Sequence, residues 1–198
     1  MREETRSLRQ EQIETAAYEM LEEKGYAGTS MQGIARQARA SNETLYSWYG
    51  DKQGLFKALV TRNAAEVKSL LKDELSTARD GLSILELFGP KLLMLLLGDR
   101  AIALNRAAAA DPSGELGATL SQAGRESVFP LVVQVLETAR QQGQLSFDQT
   151  PPTVGLYFDL LIGDLQIRRV IGRVPAPSLD FCVTRSERAI TLLHQILK

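Results

Sequence analysis

An all-α fold is predicted by three observations. Apolar residues recur at three- and four-residue spacing along nearly the whole chain. Clean apolar–polar alternation is absent, and turn pairs of the hairpin type are few. Glycine, proline and capping residues punctuate the chain into about nine helices: three short ones at the N-terminus, then a larger bundle. No linker separates the two parts. The expected division is residues 1–50 and 51–198, joined by a long helix that starts at Asp51.

The first helix is expected over 5–24, because Ile13, Ala16, Ala17, Met20 and Leu21 form one apolar stripe and Lys24-Gly25 supplies a basic last turn and a stop. After "GYAGT", Ser30 can cap a second helix carrying Met31, Ile34, Ala35 and Ala38 and ending near Arg39. Ser41 or Asn42 can cap a third, ending near Tyr49. Asp51 then caps a long helix through Leu55, Leu59, Val67, Leu70 and Leu71, ending by Gly81. Further helices are expected over 82–97, 100–110, 114–142, 150–171 and 177–197, separated by Pro112, Gly143, "TPP" and "VPAP".

Composition narrows the function. The 198 residues are 44% hydrophobic and 24% charged, ordinary values for a chain that buries a core. A formal net charge of -1 argues against an overall basic coat but leaves room for a local patch. The single cysteine, Cys182, permits no intramolecular disulfide, and the N-terminus has no apolar leader, so a cytoplasmic location is expected. The apolar run "LFGPKLLMLLLG" is short, interrupted by Pro90 and charged at Lys91, and reads as a buried helix; no membrane partner is expected. His194 and Cys182 read as packing residues. With no nucleophile–base pair, phosphate-cradling loop or metal-ligand cluster, neither an enzyme nor a cofactor or metal site is expected.

The stretch "SNETLYSWYGDKQGLF", residues 41–56, concentrates four aromatic residues. Two short helices joined by a tight turn and preceded by a supporting helix make a helix-turn-helix, whose second helix can enter a major groove. Leu45 and Tyr49 share the face that packs on Ile34, Ala35 and Ala38. Asn42, Thr44, Tyr46, Ser47 and Trp48 lie on or beside the other faces, and Lys52 can reach a phosphate. Tyr49 and Phe56 are therefore assigned to the core, Tyr46 and Trp48 to DNA.

Residues 13 to about 60 resemble the DNA-binding domain of the TetR family of transcriptional regulators. The resemblance is carried by Ser30, Ile34-Ala35, Ser41, Thr44-Leu45-Tyr46, Trp48-Tyr49, Lys52 and Leu55. It implies a sequence-specific DNA-binding regulator, with Ser30, Gln32, Ser41, Asn42, Thr44, Tyr46, Ser47, Trp48 and Lys52 at the DNA. Two positions depart from the family pattern. Arg39 stands where glycine is common in the turn, and Glu43 stands where a small residue is common. Arg2, Arg6 and Arg9 are expected to add contacts from an N-terminal arm.

The resemblance also implies a homodimer, formed by the last two helices and their symmetry mates, that binds a palindromic operator. Leu156, Leu160, Gly163, Ile167, Ile190, Leu193 and Leu197 are the expected interface. The bundle would house a small hydrophobic effector among Phe88, Leu92, Asn105, Phe129, Tyr157 and Phe158, whose binding releases a repressor from DNA. A DNA-binding dimer without effector, and a helical enzyme that only resembles a helix-turn-helix at its N-terminus, remain alternatives at this stage.

Overall fold

The computed structural model describes the backbone of residues 2–76 and 80–198 and the side chains of 5–76 and 80–198. The elements are α1 (Arg2–Gly28), α2 (Met31–Gln37), α3 (Asn42–Tyr49), α4 (Lys52–Ser76), α5 (Gly81–Leu96) and α6 (Asp99–Ala109). They continue with α7 (Glu115–Thr119), a π-helical segment (Leu120–Arg125), α8 (Glu126–Gln141), α9 (Thr150–Leu161), α10 (Leu165–Val170) and α11 (Leu179–Ile196). No strand occurs among the described residues. No single helix there is long and apolar enough to cross a membrane.

The chain forms two compact units, and the division is not the expected cut at residue 50. One unit comprises residues to Arg62 together with Ala103–Ala123; the other comprises Asn63–Ile102 and Gly124–Lys198. The reason is packing. Leu55, Phe56, Leu59 and Val60, in the first half of α4, belong to the same buried cluster as Ile13, Ile34 and Leu45, and Ala103, Leu104, Ala107 and Leu116 join it. A helix cannot be cut where its first turns fill a core.

Local signals explain the helix ends of the first unit. Ser30 and Ser41 cap α2 and α3 by accepting from Gly33 N at 3.1 Å and Thr44 N at 3.0 Å. Asp51 accepts from Gly54 N at 2.7 Å at the start of α4. Gly25 breaks α1 with φ 66°, the left-handed stop expected there, and a further turn runs on to Gly28. Arg39 adopts φ 53°, the conformation a glycine would take without strain in this turn. The side chain of Arg2 lies outside the described residues, and α1 already includes that position, so the N-terminus is helical where an arm was expected.

In the second unit, α11 packs on α5 and α9, and α8 packs on α5 and α9. Phe88, Leu92, Leu93, Val132, Val135, Leu136, Tyr157, Leu161, Cys182 and Leu193 form its centre. Of two long helices expected to be continuous, the first is helical throughout, passing through π geometry, and the second is broken. The stretch 114–142 contains α7, the π segment and α8; the stretch 150–171 stops at Leu161 and resumes at Leu165, with Gly163 at φ 53° between. Arg185 donates to the carbonyl of Leu161 at 2.9 Å, occupying an acceptor left open at that break.

Asp80 caps α5. It accepts from Ser83 N at 3.0 Å, from Ser83 Oγ at 2.6 Å and from Gln144 Nε2 at 2.6 Å. These hydrogen bonds hold its carboxyl at about 2, below the ordinary 3.8. A depressed carboxylate stabilises the folded state fully above its unfolded pKa, and that contribution is lost as pH falls through the folded one. Asp80→Asn is therefore expected to flatten the stability loss between about pH 4 and pH 2. Urea melts of both proteins across that window check it.

Candidate nucleic-acid interface

The exposed side of α3 is one contiguous arc. Asn42, Glu43, Tyr46 and Ser47 are exposed, and Tyr46 keeps 49% of its surface open. Leu45 is fully buried on the opposite side. Positions four apart stack on a helix, so these four polar or amphipathic groups form a single exposed edge. Leu45 anchors that edge to Ile34 and Ala35 of the head core. Gln32 lies exposed in the first turn of α2, and Ser30 and Ser41 are exposed caps. The Ser41 and Thr44 hydroxyls are 2.8 Å apart, which ties the half-buried Thr44 back to the cap.

The aromatic residues of this stretch differ in depth. Phe56 is buried as expected. Trp48, assigned to DNA, is half-buried, packs against the head core and meets the Tyr49 ring edge-on at 6.4 Å. The guanidinium of Arg6 sits 5.4 Å from the Trp48 ring centre. Tyr49 is only half-buried as a residue, yet its hydroxyl is buried without a hydrogen-bond partner. Burial, with the Glu14 carboxylate adding to it, pushes this phenol up to about 12.

Two of the basic residues, Arg9 and Lys52, bond back to the unit's own backbone. Arg9 donates to the carbonyl of Arg39 at 3.0 Å and to that of Ala38 at 3.4 Å, bracing the α2–α3 turn. Lys52 was expected on phosphate. Its ammonium instead donates to the carbonyls of Tyr26 at 3.0 Å and Thr29 at 3.1 Å and lies 4.1 Å from the Tyr26 ring centre. Thr29 in turn donates from Oγ1 to Gly25 O at 2.7 Å, and the Tyr26 ring meets Phe56 edge-on at 5.9 Å. Lys52 therefore fastens the α1–α2 connection to the start of α4. Lys52→Met is expected to cost about 2 kcal/mol of stability, the worth of a charged donor's bonds. It should leave the salt dependence of DNA binding unchanged. A fall in that slope of about one per subunit would put the ammonium on phosphate instead.

Positions expected elsewhere divide in the same way. Phe88, Leu92 and Tyr157 are fully buried in the second unit, and Phe129 and Phe158 are half-buried against that cluster. Asn105 belongs to the first unit. Of the expected interface residues, Leu193 and Ile190 are buried in the subunit's own core, and Leu156, Leu160 and Leu197 pack against it. Gly163 is exposed, and Ile167 is 56% exposed. An apolar stripe does not say whose core it fills, and here the subunit's own core takes most of it. Exposed apolar side chains remain on and beside α10 and α11, at Ile167, Ile171, Leu179, Phe181 and Ile196, and also at Leu87 and Met94 of α5 and Leu8 of α1. Among the described residues, no group of His, Cys, Asp or Glu side chains is placed to hold a metal ion.

Comparison with known proteins agrees with this arrangement. Residues 13–59 match the pattern of bacterial regulatory proteins of the tetR family, and residues 83–193 match that of the AefR-like transcriptional repressor C-terminal domain. No curated protein is a significant match to the sequence. The chain is similar to a TetR transcriptional regulator from Agrobacterium tumefaciens at 29% identity, over 96% of this chain and 94% of the other, with a TM-score of 0.75. It shares its fold with the flavonoid-responsive regulator FrrA, at 24% identity, 97% and 98% coverage and a TM-score of 0.68. It also shares it with FadR from Bacillus subtilis, solved in complex with stearoyl-CoA, at 18% identity, 94% and 98% coverage and a TM-score of 0.76. The second match alone spans more than half of the sequence, and the chain belongs to the TetR family of DNA-binding transcriptional regulators.

Proposed function

We propose that the protein is a cytoplasmic repressor that holds a palindromic operator as a homodimer and releases it when a small apolar molecule enters the second unit. The observation that carries the DNA half is the arc of Asn42, Glu43, Tyr46 and Ser47, exposed on a helix whose other side is anchored by Leu45. In a groove, Asn42 and Ser47 can bond base edges and the Tyr46 hydroxyl a phosphate, while Gln32, Ser30 and Ser41 face the backbone. Glu43 repels phosphates and tolerates only a site where it accepts from a cytosine amino group. With Arg9 and Lys52 committed inward, affinity rests more on these polar contacts than on a basic coat.

The dimer is supported by the exposed Ile167, Ile171, Leu179 and Phe181, which replace Leu193 and Ile190 as the proposed contact. Effector control is supported by the apolar centre of the second unit and by two relatives whose names record a flavonoid response and a bound acyl-CoA. An effector shifts the balance only by its difference in affinity between two states, one of which no longer fits successive major grooves. Footprinting of DNA flanking the coding region tests this. The expected result is two protected half-sites about one helical turn apart, which vanish when a ligand from a small-molecule screen is added. A single protected half-site counts against the dimer, and protection that no ligand alters counts against the effector.

A further inference from the structure

Two hydroxyls at the centre of the second unit have no hydrogen-bond partner: Tyr157 Oη and Ser186 Oγ. Tyr157 is 0% exposed and Ser186 1%. They arrive from different helices, α9 and α11, and converge on α5 at Gly89. A Cβ at Gly89 would meet Ser186 Oγ at 2.1 Å and Tyr157 Oη at 3.3 Å. Serine inside a helix commonly returns its hydroxyl to a carbonyl of the preceding turn, which Ser186 does not do. Buried hydroxyls are nearly always paired, so an unpaired couple aimed at one spot asks for a reason.

The surroundings limit what could pair with them. Phe88, Leu92, Leu93, Cys182, Ala189 and Leu193 are buried in the same cluster. The buried charged residue of this unit, among the described residues, is Arg169. It is already held by Leu97 O at 3.0 Å, Val174 O at 3.3 Å and Asp99 Oδ1 at 2.6 Å. Among the described residues no other charged side chain of this unit is buried, so an anion entering here would lose its hydration without a buried counter-charge.

We propose that Tyr157 and Ser186 are the polar end of the effector site, and that they select an uncharged ligand carrying one hydroxyl or carbonyl oxygen on an apolar body. The inference rests on the effector reading above. The Tyr157 hydroxyl donates to the ligand's oxygen, and the Ser186 hydroxyl accepts from a ligand hydroxyl or donates to a carbonyl. Because α5, α9 and α11 close on the two hydroxyls, a ligand reaches them by moving these helices apart. Its binding therefore favours a second geometry of the bundle.

The test uses the full chain and three matched probe series with propyl to octyl tails: 4-alkylphenols, alkylbenzenes and 4-alkylbenzoates. Affinities come from calorimetric titration, and melting temperatures are read without ligand. At least one alkylphenol is expected to bind roughly tenfold or more tightly than the hydrocarbon and the benzoate of the same tail, the scale of one satisfied buried hydrogen bond. Tyr157→Phe and Ser186→Ala are expected to abolish that preference, leave hydrocarbon binding unchanged and melt higher than the parent. Failure of every alkylphenol to bind, equal binding of the benzoates, or variants that keep the preference or melt lower would overturn the proposal. The effector reading fails separately: a phenol that binds through Tyr157 without changing operator affinity leaves this site standing and removes that reading. An anionic compound that releases operator, with no phenol binding, does the reverse.

Discussion

Arg62→Met is expected to destabilise the protein by about 3 kcal/mol, because it strands a buried carboxylate. Glu14 on α1 is 5% exposed. Arg62 on α4 meets it with one hydrogen bond, Nη1 donating to Oε1 at 3.2 Å, and with Nε 3.2 Å from Oε2 as an ion pair. Gln10 Nε2 also donates to Oε1 at 3.0 Å, but an amide carries no compensating charge. The two residues are not equivalent. The Arg62 side chain is 39% exposed and can turn to water when Glu14 is lost, whereas Glu14 at 7% cannot. Glu14→Leu should therefore cost less than Arg62→Met, and the double variant should recover most of the loss. Denaturant melts of the four proteins check it. A double variant as unstable as Arg62→Met would mean that α1 and α4 lost packing and not a charge pair.

Gly81→Ala is expected to be comparably harmful although it adds one methyl group. A Cβ on Gly81 would lie 2.5 Å from the backbone N of Ala139, 2.6 Å from its Cβ and 2.7 Å from its Cα. The obstacle is mostly main chain of α8, which cannot rotate away. The start of α5 is also pinned there, with Gly81 N donating to Gln142 Oε1 at 2.9 Å and Leu82 N to Gln144 Oε1 at 3.3 Å. Pushing the helices apart costs overpacking and loosens these caps, together about 3 kcal/mol, or roughly 10 °C for a chain of this size. Gly117→Ala is the control. It is a helical glycine with nothing near its Cβ position, and alanine there should stabilise by about 0.5–1 kcal/mol. Thermal melts of both variants decide between a steric requirement and a general intolerance of substitution.

Local grammar made much of the DNA-binding head legible. Ser41 as a cap, Gly50 after the last turn and the Leu45 anchor place α3 at the expected residues, and Arg39 takes the left-handed conformation that its position in the turn demanded. What stayed hidden depends on partners far away in sequence. The direction of Lys52 is set by carbonyls 26 and 23 residues earlier. The inward turn of Trp48 depends on Arg6 and the head core. The π segment at Leu120–Arg125 and the break before Leu165 leave no proline to mark them. Apolar spacing placed Leu193 and Ile190 on one stripe, but only the fold assigns that stripe to the subunit's own core. The unpaired hydroxyls of Tyr157 and Ser186 belong to residues that look like ordinary helix interior in the sequence.

The reading edge of α3 is most directly tested by one variant on two DNAs. The affinities of the parent and of Asn42→Ala are measured across a salt series for the footprinted operator and for a scrambled duplex of equal length. If Asn42 meets a base edge, the variant loses about 1–3 kcal/mol on the operator, keeps the parent's salt slope and binds scrambled DNA as the parent does. Unchanged operator affinity, or an equal loss on both DNAs, would mean that this face of α3 does not read the groove.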